Sequence, residues 1–530
     1  MALGASFFVG VWYAIPMVNT ICDVWAFGGG VLRAMEAKTL FPGPDVDYGT
    51  ISFFQNYLAM IVALGFGFLF TGFDLEALKT LLIINPSFTL IPSRLVSALT
   101  AAFLLFVVYR FLKAHVTSAG WRFALMVLVF GNVLTSLLTR SGKMWILSTL
   151  LGVMSFLYLY RALTEEREGG YPKRSSFISV VTAFLATANF PFAAVFLVNI
   201  PILFFFFPKT KKSFQRLCTI VLGGGTIFAG VVALNFKNTF VLVSDFITPL
   251  LDPSVNTVIN NKQSLSFVEA FLVNGRHVLE AFPLLLIALV FVAILMKGAQ
   301  LQDKTLAYLA VTYSAVYLIM ASVLFRADHG LSLNVRHIFP VAFFLLFLIV
   351  AYRTPGRAVA ITFITIGLLI YGYTLVLFSV PTTYNHVSDF IEERYGDEDI
   401  RIDEYIFELT LPMNKASYET FAEEHCGSTC MHRRALNTDI AFRPLIVTNY
   451  TDIAVLLTLP PVNLVVREEG VEGCTPVAFF GNNVLDTSVF DMDINLGRML
   501  MPSFYKLRQL GKNMYVYDAT TCPSAKVLAP

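Results

Sequence analysis

The sequence predicts an α-helical polytopic membrane protein of about eleven spans, followed by an extracytoplasmic α/β domain. Three features lead to that class. Of 530 residues, 56% are hydrophobic and only 14% charged, with a mean hydropathy of +0.69. An ordinary soluble chain is about a quarter charged, so that class is excluded, and disorder and coiled coil fall with it. The apolar residues, 50 Phe among them, gather in long runs, which makes lipid the solvent for most of the chain. The composition then changes near residue 380: from Tyr384 onward charges, Asn, Pro and turn residues take over and no long apolar run remains. A membrane domain over 1–380 and a soluble domain over 381–530, of ordinary domain size, follow. The net charge of +2, without a basic patch interleaved with aromatics, excludes nucleic acid as a partner.

Run length sets the spans. The opening stretch at 3–20 lacks a charged leader and a small-residue cleavage site, and it runs into further apolar segments. It therefore reads as a retained span rather than a signal peptide. Further spans fall at 94–112, 120–138, 144–160, 175–190, 192–207, 217–235, 279–296, 305–325, 338–352 and 357–379. The joints Arg110/Lys113, Arg161 to Arg174, Lys209 to Lys212, Lys297 to Lys304 and Arg353/Arg357 are short and basic, which assigns them to the cytoplasm. Alternation then puts the loops 139–143, 189–191, 236–278 and 326–337 outside, along with the terminal domain, and keeps the N-terminus inside. The expected location is the cell membrane, with the endoplasmic reticulum as the alternative.

Residues 51–72 look like another span. A crossing there would carry Arg110 and Lys113 outside and invert every later joint. The charge count therefore keeps this stretch within the outer loop 21–93, as an amphipathic or re-entrant helix. Asp45, Asp47 and Asp74 flank it, and Gln55 and Asn56 form its polar side. The plain alternative is that 51–72 crosses and the basic bias misleads.

The terminal domain reads as α/β. A helical pattern over His386–Tyr395 leads to a strand near Ile400, then β-rich runs at Leu445–Thr448 and Val462–Val466. A helix at Tyr505–Leu510 and a strand at Met514–Tyr517 close it. Cys426, Cys430, Cys474 and Cys522 all lie here, and in an extracytoplasmic setting they favour disulfides, with the connectivity left open. Cys426 and Cys430 beside His432 offer a metal clip as the less favoured reading. Asn449-Tyr450-Thr451 is a glycosylation acceptor. No nucleophile elbow, phosphate loop or zinc-protease motif appears, so the domain reads as a lid or acceptor-docking module.

Ionisable groups at apolar spans are costly unless they are paired or face a polar cavity, so each calls for a function. Asp23, directly after the opening span, can accept a proton from a hydroxyl or amine nucleophile; a solvated acid ending a helix is the plainer role. Arg140-Ser-Gly-Lys143 puts two cations on a very short loop, which suits phosphate or pyrophosphate and equally lipid headgroups. The run Arg326 to Pro340 carries Arg336 and His337 straight into a span, and outward Arg residues oppose the usual bias. The 236–278 loop, with Lys262, Arg276 and His277, is long enough to fold over a site as a mobile outer cover. Scattered carboxylates predict no metal shell, no cofactor is called for, and a divalent metal is left without support.

These residues stand in a familiar order. An Asp follows the first span, then comes Phe41-Pro-Gly-Pro-Asp-Val-Asp-Tyr48-Gly. Ser93-Arg94-Leu-Val-Ser97 opens the next span, a short Arg loop follows, and Asn334-Val-Arg336-His337-Ile-Phe-Pro340 comes late. Over residues 1–380 the chain resembles the GT-C class of membrane glycosyltransferases, in the branch of protein O-mannosyltransferases and bacterial lipid A aminoarabinose transferases. The resemblance implies a polyprenyl-phosphate sugar donor, Asp23 as the acceptor's base, and Arg336 as the ligand of the lipid phosphate. His337 stands where a Tyr is frequent, Arg94 and Arg140 match the Arg positions of the second span and second outer loop, and with Lys143 these residues complete the donor-phosphate-binding set that the resemblance implies. Val24 follows Asp23 where the family often has a second acid, and Val46-Asp47-Tyr48-Gly49 replaces Pro-Pro. The Trp-Trp-Asp-Tyr-Gly signature of oligosaccharyltransferases is absent.

The expected function is therefore inverting transfer of a sugar from an undecaprenyl- or dolichyl-phosphate carrier to an extracytoplasmic protein, lipid or glycan. The expected partners are that donor, its acceptor and membrane lipid. Two rivals stand beside it. A lipid-linked sugar transporter or flippase would place polar groups at the midplane of two similar halves, and no half-repeat is found. A non-catalytic subunit with a docking domain is the other.

Overall fold

Lipid offers no partner for a backbone N–H or C=O, so long apolar runs become helices that satisfy their own hydrogen bonds. The computed structural model describes residues 2–13, 25–36, 38–42, 49–75, 77–78, 81, 87–167, 173–206, 210–240, 244, 265–295, 301–324, 335–352, 354–395, 402–405, 463–481 and 513–522. Its described helices, in chain order, begin with α1 (Ala2–Ala5), α2 (Trp25–Glu36), α3 (Thr50–Phe70), α4 (Ser87–His115), α5 (Ala119–Phe130) and α6 (Val133–Leu138). Next come α7 (Trp145–Arg167), α8 (Lys173–Asn189), α9 (Asn199–Phe206), α10 (Lys211–Ala233), α11 (Phe267–Ala281) and α12 (Pro283–Val290). The last four are α13 (Lys304–Leu324), α14 (Val341–Val350), α15 (Arg357–Leu377) and α16 (Thr383–Tyr395). Short 3₁₀ turns at Ser6–Phe8, Pro191–Val198 and Val335–Ile338 join some of them.

Among the described residues, six helices are long and apolar enough to cross a membrane, in α3, α4, α7, α10, α13 and α15. The sharply bent pair α11 and α12 makes a seventh if counted as one span. The eleven crossings expected from run length are thus not all met by single long helices, and local chemistry explains the shortfall. The 120–138 run splits where Gly131 ends α5 and the Asn132 side chain caps α6, its Oδ1 accepting from Thr135 N at 2.8 Å. The 192–207 run starts at Pro191 as 3₁₀ helix, and the 338–352 run starts its α-helix only after Pro340. Of the opening run, the described residues are helical to Phe8 and Val9 to Tyr13 are turns, with Gly10 at φ +81°; residues 14–20 lie outside the described residues. The 51–72 stretch is the unbroken helix α3, 21 residues long, which meets the length and hydropathy of a span. Its length and composition suit a crossing, and its straight course over residues 50–70 is equally that of a helix lying along the membrane surface.

Two features of the packing set the bundle. At Gly131 and Gly367, α5 and α15 come together so closely that an added Cβ would lie 3.2 Å from Tyr371 and 2.6 Å from Val127, respectively. Between α7 and α8, Ser155 Oγ donates to Ser179 O and Ser179 Oγ to Ser155 O, at 2.8 and 2.9 Å. Asn199 Nδ2 donates to both hydroxyls at 2.6 Å, so three helices share one buried polar knot. Asn189 ties α3 to α7 in the same way, accepting from Ser52 N at 2.9 Å and donating to Ser148 Oγ at 2.8 Å.

The joints between helices gather at two ends of the bundle. At one end, the His115 ring lies 5.5 Å from Tyr160, whose hydroxyl donates to Asp303. There too Gln302 N and Asp303 N donate to Ala351 O at 2.9 and 3.1 Å, and Ser175 Oγ donates to Glu165 at 2.9 Å. The described parts of four basic joints, at 110–113, 161–167 with 173–174, 301–304 and 354–357, therefore share one end. The turns at 9–13, 139–144 and 336–340 and the start of α16 lie at the other.

Beyond α15, α16 packs on a four-stranded sheet of β1 (Ile402–Tyr405), β2 (Leu464–Arg467), β3 (Ala478–Phe480) and β4 (Met514–Asp518), in the order β1-β2-β4-β3. β1 and β2 are parallel and the other two pairs antiparallel. Tyr384, Val387 and Ile391 of α16 meet Leu464, Val466, Met514 and Val516 on one face, following strand alternation. Val465, Tyr517 and the disulfide Cys474–Cys522 lie on the other. The strand β3 is an addition to the sequence reading, whereas the runs at Leu445–Thr448 and Tyr505–Leu510 lie outside the described residues.

Candidate functional site

The turn from Thr139 to Met144 is tightly specified. Gly142 adopts φ +67°, and a Cβ there would lie 2.8 Å from Ser93 Cβ, so only glycine both takes the left-handed conformation and lets α4 approach. Asn56 Nδ2 of α3 reaches Gly142 O at 3.4 Å. The turn delivers Lys143, only 8% exposed, and Trp145 at the start of α7.

Facing it, the 3₁₀ turn Val335–Ile338 carries Arg336 and His337. The Arg336 guanidinium lies 5.0 Å from the centre of the Trp145 ring and the Lys143 ammonium 5.8 Å from it. Both are within cation–π range of one indole. The His337 ring packs beside Phe190 and Phe192, with ring centres 5.6 and 5.2 Å away, and its carbonyl accepts from the Tyr317 hydroxyl at 2.6 Å. The charges of Arg336 and Lys143 both bear on that imidazole. Trp145, Phe190, Tyr317, Arg336 and His337 line a cavity of about 10 Å³ with Ser148, Thr149 and Pro340. A space that small holds about one water, so a larger anion must approach the cations from outside it. Arg336 is only partly buried and offers that approach.

The structure thus places Lys143, Arg336 and His337 in one neighbourhood around Trp145. The other two arginines have different work. Arg140 is fully buried; its Nε donates to Val9 O at 2.6 Å and its Nη2 to Ser6 O at 3.0 Å. Its Nη1 donates to Ser136 O at 2.6 Å and to Thr139 Oγ1 at 3.1 Å, and its plane lies 4.8 Å from the Phe378 ring. Burial lowers its pKa to about 10, against a raising effect of Tyr371, so it stays cationic at neutral pH. Arg94, also fully buried, donates through Nη1 to Val11 O at 2.8 Å and Tyr13 O at 2.6 Å. Both guanidinium groups face backbone carbonyls where the sequence reading had them facing donor phosphate.

Arg276 and His277 lie within α11 rather than on a loop, Arg276 exposed and His277 buried. Asp23, Lys262, Asn449, Cys426 and Cys430 lie outside the described residues. Cys474 and Cys522 pair with a Cα separation of 5.7 Å. Among the described residues no group of three His, Cys, Asp or Glu side chains could hold a metal ion.

Sequence reasoning passed over Trp145, Tyr317, Phe190 and Phe192. Trp145 carried a usable signal, since it follows the cationic turn at the head of a span where interfacial Trp concentrates. The others are aromatic residues in aromatic runs and carry none. No protein-family model, characterised protein or solved structure matches the chain.

Proposed function

We propose that the chain is a membrane glycosyltransferase that takes one sugar from a polyprenyl-phosphate donor and passes it to an acceptor on the side away from the basic joints. The observation that carries this is the convergence of Arg336, Lys143 and His337 on Trp145 at the end of the bundle opposite those joints. Two cations at one indole, one partly open to the surface, suit a phosphate monoanion whose lipid tail stays among the helices.

In the transfer, an acceptor hydroxyl or amine attacks the anomeric carbon as the bond from that carbon to the phosphate oxygen breaks. The phosphate leaves on its lipid with the bonding electrons. Arg336 and Lys143 stabilise the charge that grows there, where a preorganised cation contributes most in a partly dry site. Asp23, assigned from sequence, takes the acceptor's proton. Asp23→Asn is expected to abolish label transfer from a radiolabelled polyprenyl-phosphate sugar while leaving donor binding intact. Equal transfer by that variant would remove Asp23 from the mechanism.

A further inference from the structure

We propose that Arg140 is a positioning residue whose fork fixes the turn bearing Lys143 and Trp145 against the N-terminal Ser6–Tyr13 segment, and that it takes no phosphate itself. The inference rests on the transferase reading and adds to it how the cation site is held.

In the Ser6–Tyr13 segment Val9 to Tyr13 are turns, with Val9 N donating to Ser6 O at 3.2 Å and Tyr13 N to Gly10 O at 3.0 Å. Arg140 and Arg94 supply donors to four carbonyls of that segment: Ser6 and Val9, then Val11 and Tyr13. A guanidinium satisfies several acceptors in one plane, which a lysine cannot do. The other Arg140 N–H group donates to Ser136 O and Thr139 Oγ1, binding the end of α6 to the same knot. Gly142 against Ser93 and Asn56 on Gly142 O pin the rest of the turn. With the fork spent on protein acceptors inside a closed site, what Arg140 controls is the backbone three residues before Lys143 and five before Trp145.

Charge and geometry separate in a substitution series read by binding of a polyprenyl-phosphate probe and by fluorescence of Trp145 as the sole tryptophan. Arg140→Lys keeps the charge and loses the fork; Gly142→Ala changes no charge and strains the turn. Both are expected to weaken probe binding about tenfold and to shift Trp145 emission before any probe is added, while Lys143→Arg stays near wild type. Near wild-type binding by Arg140→Lys, with loss in Arg140→Gln, would make Arg140 a phosphate ligand and overturn the inference alone. A probe that wild type does not bind would overturn the transferase reading and this inference with it.

Discussion

At the residue scale, Arg336 and Lys143 are, on the transferase proposal, the groups whose loss is expected to be felt in donor affinity. Arg336→Ala is expected to weaken donor binding about tenfold or more, because a cation in a partly desolvated site is worth a few kcal/mol. Isothermal titration with a short-chain polyprenyl phosphate checks this, and an unchanged dissociation constant would rule Arg336 out. Their importance is legible in sequence, since each is a cation placed just before a span against the prevailing bias. The roles of Arg94 and Arg140 were hidden for a physical reason. Their partners include carbonyls more than 80 residues away, on the turns that follow Phe8. Nothing in the local sequence of a short cationic loop tells a phosphate ligand from a backbone clamp.

At the element scale, the helices are held by small residues and shared hydrogen bonds, since apolar contact alone distinguishes poorly between a neighbour and lipid. Asn199→Ala removes donors to two hydroxyls and should cost about 1 kcal/mol, read as a lowered unfolding temperature in detergent. Gly152→Ala should cost about 1–3 kcal/mol in the same measurement, because its Cβ would fall 2.1 Å from the Phe196 ring. A variant as stable as wild type in either case would show that the α7–α9 region relaxes freely. Helix positions in α7, α10, α13 and α15 follow from run length alone. The break at Pro191 is legible from its proline, whereas those at Gly131 and Phe282 depend on which neighbour supplies the lost contacts, so periodicity gave no warning of them. The same holds for β3, whose three residues are too few to show alternation.

At the scale of the whole molecule, the sequence reading of sidedness turns on charge, and the fold gathers those charges at one end. With an impermeant maleimide on sealed vesicles, a cysteine at Lys304 or Arg357 is expected to label from the opposite side to one at Glu469. Labelling from the same side would break the link between the basic joints and one membrane face. The terminal sheet stands at the end that carries Arg336, joined by the short link between α15 and α16. The most direct test of the transferase reading is a density map of the protein with a polyprenyl-phosphate sugar bound. The expected result places the phosphate against the Arg336 guanidinium and the Lys143 ammonium, beside Trp145. A phosphate seated at the His115–Tyr160–Asp303 end would contradict it.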